Sequence, residues 1–180
     1  MTNETGIAQL HSEILAFVGR TGASPRRADD PVNLPMIRHW CQAMGDDNPI
    51  YTNPDEAIKA GFTDIVAPPT MLQSWTHHDR RFDAPHLTDD DGEEILARRL
   101  IEAGYPSVVA TECDAEYLRY LSPGDLLTYH CVIESISEPK TTKLGTGFFI
   151  TTLVSYTDQN DDVVGRLRFV VFRFRPAEKA

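Results

Sequence analysis

Apolar residues recur at helical spacing in the first half of the chain and at strand spacing in the second. Ile7, Leu10, Ile14, Leu15, Phe17 and Val18 fall three and four apart, which predicts a helix over residues 4–18. Gly19 and Gly22 end it, and the polar stretch with Pro25, Arg26, Arg27 and Pro31 reads as a loop. Asn33 is a suitable N-cap with Pro35 in the first helical turn. Met36, Ile37, Trp40, Cys41 and Met44 then share one face of a second helix. Asn53 or Asp55 caps a short helix with Ala57 and Ile58, closed by Gly61. Past the breaker Ala67-Pro68-Pro69-Thr70, a helix with Met71, Leu72 and Trp75 is expected. Residues 79–94 are charged and read as an exposed loop, followed by a helix over Glu94–Ala103 that Gly104 ends.

The period then changes. Val108–Arg119, Leu126–Ile136, Gly145–Tyr156 and Val163–Phe174 are long runs rich in Val, Ile, Thr, Tyr and Phe. Ser122-Pro123-Gly124-Asp125, Ser137-Glu138-Pro139-Lys140 and Asp158-Gln159-Asn160-Asp161 separate them. Pro fixes φ, Gly and Asn accept positive φ, and Asp bonds nearby backbone, so each separator is a turn. The expected fold class is α+β, an antiparallel sheet with helices on one face.

A chain of 180 residues fits one domain, and at this size roughly 70% of the unfolded surface is buried. Cys41, Cys113 and Cys131 have no metal or disulfide spacing. Cys113 and Cys131 lie in apolar runs and are expected as buried free thiols, which suggests a reducing, cytoplasmic setting. The N-terminus lacks the pattern of a signal peptide. No apolar run reaches the ~20 residues of a membrane span. A net charge of −10 disfavours a nucleic-acid surface. It leaves room for an anionic ligand held by a few local cations.

Chemistry concentrates in Gly45-Asp46-Asp47-Asn48-Pro49-Ile50-Tyr51. This stretch resembles the active-site loop of MaoC-like, hot-dog-fold enoyl-CoA hydratases, which runs Asp, four residues, His. Asp46 stands at the Asp position and Tyr51 at the His position. Two further stretches match the family in order. Ile65-Val66-Ala67-Pro68-Pro69-Thr70-Met71 resembles the start of the central helix in the FAS1-type dehydratase branch. Tyr117-Leu118-Arg119-Tyr120-Leu121-Ser122-Pro123-Gly124-Asp125-Leu126 resembles the turn into the long strands. Within the branch, residues 33–51 and 104–111 are most similar to the catalytically incomplete subunit of two-component hydratases of bacterial sterol side-chain degradation.

The resemblance implies a single hot-dog domain over 31–176, an N-terminal helix and linker over 1–30, and a tail over 177–180. In that group a C-terminal OB-fold domain follows, so the chain is expected as a truncation or a shorter relative. It also implies a coenzyme A thioester as substrate and no cofactor or metal. The implied partner is a smaller MaoC-like subunit with the intact Asp and His, in a heterodimer or heterotetramer, with an aldolase- or thiolase-like protein as a further one.

Hydration of an enoyl thioester needs a base for water, an acid for the α-carbon, and donors for the enolate oxygen. Tyr, at a reference pKa of ~10 against ~6.5 for His, gives up roughly 5 kcal/mol of proton affinity as a base. Asp46 keeps an acid's place, although Asp46 or Asn48 could equally cap a turn through its side chain. Pro68 and Pro69 lack N–H groups where intact enzymes offer a donor, leaving Thr70 and Met71. Asn48, Thr70 and Met71 are therefore substrate-binding candidates. Arg119, Lys140 and Lys143 are candidates for coenzyme A phosphates. His39, His77, His78 and His130 are expected in structural roles, and His77-His78-Asp79 is too closely spaced for a metal. Two other readings stay open: a self-sufficient homodimeric hydratase or thioesterase, and an acyl-CoA-binding or scaffolding module without chemistry.

Overall fold

The computed structural model describes residues 4–77, 88–89 and 91–177. Helix α1 (Glu4–Ile14) continues as a 3-10 turn over Leu15–Phe17. Helix α2 (Leu34–Met44) begins as the cap pattern requires. Asn33 Oδ1 accepts from the Met36 N–H at 3.0 Å, and Pro35 sits in the first turn. It ends at Gly45 in the left-handed region, φ 66°, where a side chain would be strained. Asn53 rather than Asp55 caps α3 (Pro54–Lys59), accepting from the Asp55 and Glu56 amides. Helix α4 spans Gly92–Glu102. The part of the expected 79–94 loop that can be compared is small, because residues 79–87 and 90 lie outside the described residues.

Six strands form one antiparallel sheet: β1 (Thr21–Arg27), β2 (Ser107–Tyr117), β3 (Thr128–Ile136), β4 (Lys140–Thr142), β5 (Gly145–Thr157) and β6 (Val163–Pro176). Their order is β1-β3-β5-β6-β2, with β4 folded back on β5. The α+β expectation and the four long strands hold. Two short strands were not expected. The loop foreseen after Gly19 is β1, an edge strand whose Pro25 is tolerated because its pairing with β3 is broken by register shifts around it. The turn at Ser137–Lys140 leads into β4, which pairs Lys140 with Gly147.

Two clusters share one face of the sheet. Val32, Ile37, Cys41, Tyr51, Val66, Met71, Leu72, Trp75, Tyr156 and Leu167 belong to the first. Leu10, Ile14, Leu96, Leu100, Tyr105, Ile133, Phe148 and Ile150 belong to the second. Of the expected α2 face, Ile37 and Cys41 are buried while Met36 and Met44 are exposed. Cys131 is buried as foreseen, but Cys113 is exposed, because its strand is the outermost one of the sheet.

Candidate functional site

The loop after α2 is held by its own side chains. Asp46 Oδ1 accepts from the Asn48 N–H at 3.1 Å, and Asn48 Oδ1 accepts from the Ile50 N–H at 3.3 Å. Both are side-chain caps of consecutive turns, a geometry Asp and Asn supply without any catalytic demand. A 3-10 turn, Pro49–Tyr51, then carries Tyr51 into the first cluster, where it is 8% exposed.

Tyr51 lies close enough to Tyr120 for the two phenols to interact, and the Tyr120 ring meets Phe62 edge-on at 5.0 Å. Burial first, then Tyr120, Asp46 and Cys41, pushes the Tyr51 phenol up to about 12. At neutral pH on the order of one phenol in 10⁵ would be ionised. Tyr51 is therefore a neutral wall and hydrogen-bonding group. Cys41 is raised by the same surroundings, burial first and then the Asp46 carboxylate.

The element after Pro68 is a 3-10 helix, Pro69–Thr76, rather than the α-helix its apolar spacing suggested. Met71 N–H donates to the Pro68 carbonyl at 3.0 Å, so this amide is consumed by the turn itself. Thr70, exposed, retains the first amide of the helix able to face a ligand. The helix comes close to the sheet because β6 offers Gly165: a Cβ there would stand 2.7 Å from Leu72 and 2.9 Å from the Glu116 carbonyl. The Trp75 indole N–H is buried without a partner among the described residues. Tyr156, near Thr76, is raised above the usual phenol range, by burial first.

Arg119 is not a free cation for phosphates. It donates twice to Asp125, at 2.6 and 3.0 Å, to Asp158 at 2.8 Å and to the Tyr120 carbonyl at 3.0 Å. Asp158 is buried, which raises its pKa. The Asn160 and Asp162 amides and Arg119 outweigh that and hold the carboxyl below its ordinary value. Arg119 thus ties the turn before β3 to the turn after β5. Lys140 and Lys143 are exposed on the β4–β5 hairpin, beside the second cluster and away from Tyr51. Near that hairpin a groove of about 760 Å³ is lined by Ile7, Leu10, Glu13, Tyr105, Thr142 and Arg175.

The structure thus gathers Asp46, Asn48, Tyr51, Thr70 and Met71 around one core, and separates Lys140 and Lys143 from them. His39, His77 and His130 are exposed; His78 and Asp79 lie outside the described residues. Tyr120, Trp75 and Tyr156 were missed as members of the site. Tyr120 sits one residue from Arg119 in a stretch already singled out, so only its pairing with Tyr51 was hidden.

An antiparallel sheet packed on a short central helix, with an Asp-to-Tyr loop entering beside that helix, is the hot-dog fold. The chain belongs to the family described as FAS1-like, dehydratase domain region, which matches residues 16–166. It is 47% identical over 161 residues to a probable enoyl-CoA hydratase alpha subunit of Thermomonospora curvata, covering 89% of this chain and 50% of that one. It is 36% identical over 173 residues to the 3-oxo-4,17-pregnadiene-20-carboxyl-CoA hydratase alpha subunit of Mycobacterium tuberculosis, covering 96% and 54%. The chain spans about half the length of these curated relatives. A chain in the crystal structure of the ChsH1-ChsH2 complex from Mycobacterium tuberculosis superposes with a TM-score of 0.82 at 36% identity, over 97% of this chain and 94% of that one.

Proposed function

We propose that this chain is the non-catalytic half of a heteromeric enoyl-CoA hydratase that acts on a bulky, steroid side-chain enoyl-CoA. The observation that carries the reading is Tyr51: it stands at the family's His position, is buried, and has its phenol pushed up to about 12 by burial first and then by neighbours that include Tyr120. A neutral phenol cannot activate water at neutral pH. The Met71 amide, one candidate donor for the enolate oxygen, is already used. Both relatives are alpha subunits by name, and one acts on a steroid carboxyl-CoA. In this reading a smaller MaoC-like subunit supplies the Asp and His, and this chain supplies part of the acyl pocket. Asp46 keeps the loop in shape, Asn48 and Thr70 lie at the pocket mouth, and Lys140 and Lys143 serve as outlying phosphate contacts. Its three thiols fit the cytoplasm.

The test is to purify the chain alone and with a small MaoC-type chain, and to assay hydration of a steroid enoyl-CoA. Activity is expected only from the mixture. Strong hydration by the chain alone would overturn the proposal. Replacing Tyr51 by His is expected to leave the isolated chain inactive, because the Met71 amide remains engaged.

A further inference from the structure

The groove beside the second cluster takes no part in the site around Tyr51. Its walls come from α1, the end of α4, the β4–β5 hairpin and the end of β6. Its volume of about 760 Å³ lies within the roughly 300–1,000 Å³ of small-molecule pockets. The floor is apolar: Leu10 and Tyr105 are 6% and 5% exposed, and Ile7 packs against the same cluster.

Polar groups gather at one end. Thr141 of β4 opposes Thr146 of β5, which in turn opposes Arg175 of β6. Directly opposed residues point to the same side of a sheet, so the three form one row across the strands. All three line the groove. The two threonine hydroxyls stand 3.0 Å apart and share one hydrogen bond, which leaves one O–H to donate elsewhere.

Arg175 is held in place before anything binds. Its Nε–H donates to the Gly104 carbonyl and its Nη2 to the Ala103 carbonyl, both at 3.1 Å. The guanidinium lies over the Tyr105 ring, 5.0 Å from its centroid. Glycine at 104 permits this approach, because a Cβ there would stand 2.8 Å from Nη2. Capping the end of α4 uses two of the five N–H donors, both on uncharged carbonyls. Among the described residues no carboxylate pairs with Arg175, and Glu13, the acid of the lining, is taken by Arg99. A helix cap accounts for the two carbonyl bonds. It does not account for an uncompensated cation beside a hydroxyl row at the end of an apolar groove.

We propose that this groove is a second ligand site, for an amphipathic carboxylate. Arg175 and the threonine row take the carboxylate, and Ile7, Leu10 and Tyr105 take the hydrocarbon. One uncompensated guanidinium matches one negative charge, and its planar fork suits a carboxylate. A side chain already fixed loses little freedom on binding. Fatty acids and steroid acids share this chemistry. The site uses neither Tyr51 nor its loop, so it stands or falls apart from the hydratase reading.

Isothermal titration calorimetry on the full chain tests it, at about pH 8, where carboxylic acids are ionised. The probes are dodecanoate, cholate and dodecanol, each below its micellar concentration. One carboxylate per chain is expected, bound about tenfold more tightly than dodecanol. The tighter of dodecanoate and cholate shows whether straight-chain or steroid acids are the class, and either result supports the site. R175Q should lose about tenfold toward the carboxylate and leave dodecanol unchanged. Q9W, at an exposed position on the groove wall, should weaken both probes by filling the space. R175Q also removes a cap of α4, so each variant is checked by circular dichroism. The wild-type comparison of head groups and the Q9W result do not depend on that cap. Equal affinity for dodecanoate and dodecanol overturns the proposal. So does the absence of binding, or a carboxylate affinity that Q9W leaves unchanged.

Discussion

The core around Tyr51 and the core around Phe148 rest on the same face of one sheet, yet their chemistry differs. The second is mostly hydrocarbon and aromatic ring: it holds the Tyr105 phenol, and at its margin His11, stacked on Phe148 at 6.0 Å, buries an Nε2 without a partner among the described residues. The first buries two phenols, a thiol and an indole N–H that has no partner among the described residues. Burying polar groups costs stability unless each is bonded, and the first core buries more of them than the second. The contrast separates the part of the domain that holds it together from the part shaped around something else.

Breaking the second core should have the largest effect. Phe148→Ala, at a fully buried position, is expected to cost about 3–5 kcal/mol in denaturant unfolding. A cost near zero would show that this cluster does not anchor the fold. Next comes the clamp at the border of the first core. Arg119→Ala leaves the buried Asp158 carboxylate unpaired and should cost about 2 kcal/mol, reduced by the partial exposure of Arg119. The folded Asp158 carboxyl titrates below its unfolded value, so its contribution is present above about pH 4 and is lost as the pH falls. The acid unfolding curve of the variant should therefore be flatter than that of the wild type.

Smaller effects sharpen the comparison inside the first core. Tyr51 titrates at about 12, above its unfolded value, so its contribution is complete below about pH 10 and is lost as the pH rises toward 12. Tyr51→Phe should cost about 1 kcal/mol at neutral pH and soften the alkaline loss of stability. Tyr120→Phe and the double variant close a thermodynamic cycle. A coupling of about 0.5–1 kcal/mol shows that the two phenols interact, and strict additivity shows that they do not.

What could be read in advance follows the same division. The second core comes from period alone: Leu10 and Ile14, Leu96 and Leu100, and the alternation through Phe148 and Ile150 each mark a face. The cap at Asn33 was equally plain, and that of α3 was narrowed to Asn53 or Asp55, because side-chain chemistry at a helix start is local. The site core was legible only in part. The Asp46–Tyr51 loop stood out, but the approach of Tyr51 to Tyr120 brings together residues 69 positions apart, and no local pattern reveals it. Arg119 looked like a free cation because its acids arrive from two separate turns. β1 was hidden by Pro25 and by the register shifts that let an edge strand keep it. Cys113 sits in an apolar run, and what exposes it is its place in the strand order.

The register shift between Ala110 and Glu112 has a consequence for anything that binds along β2. One extra residue reverses which side each later residue points to, so Val109 shares one side of the strand with Glu112, Asp114 and Glu116 although its position is odd. A regular strand laid alongside can stay in phase only from Glu112 to Tyr117, about six residues or roughly 20 Å. Beyond that it must bulge in step or let go. Thr111 therefore works as a ruler: it sets how long a matching strand can be and where it has to stop.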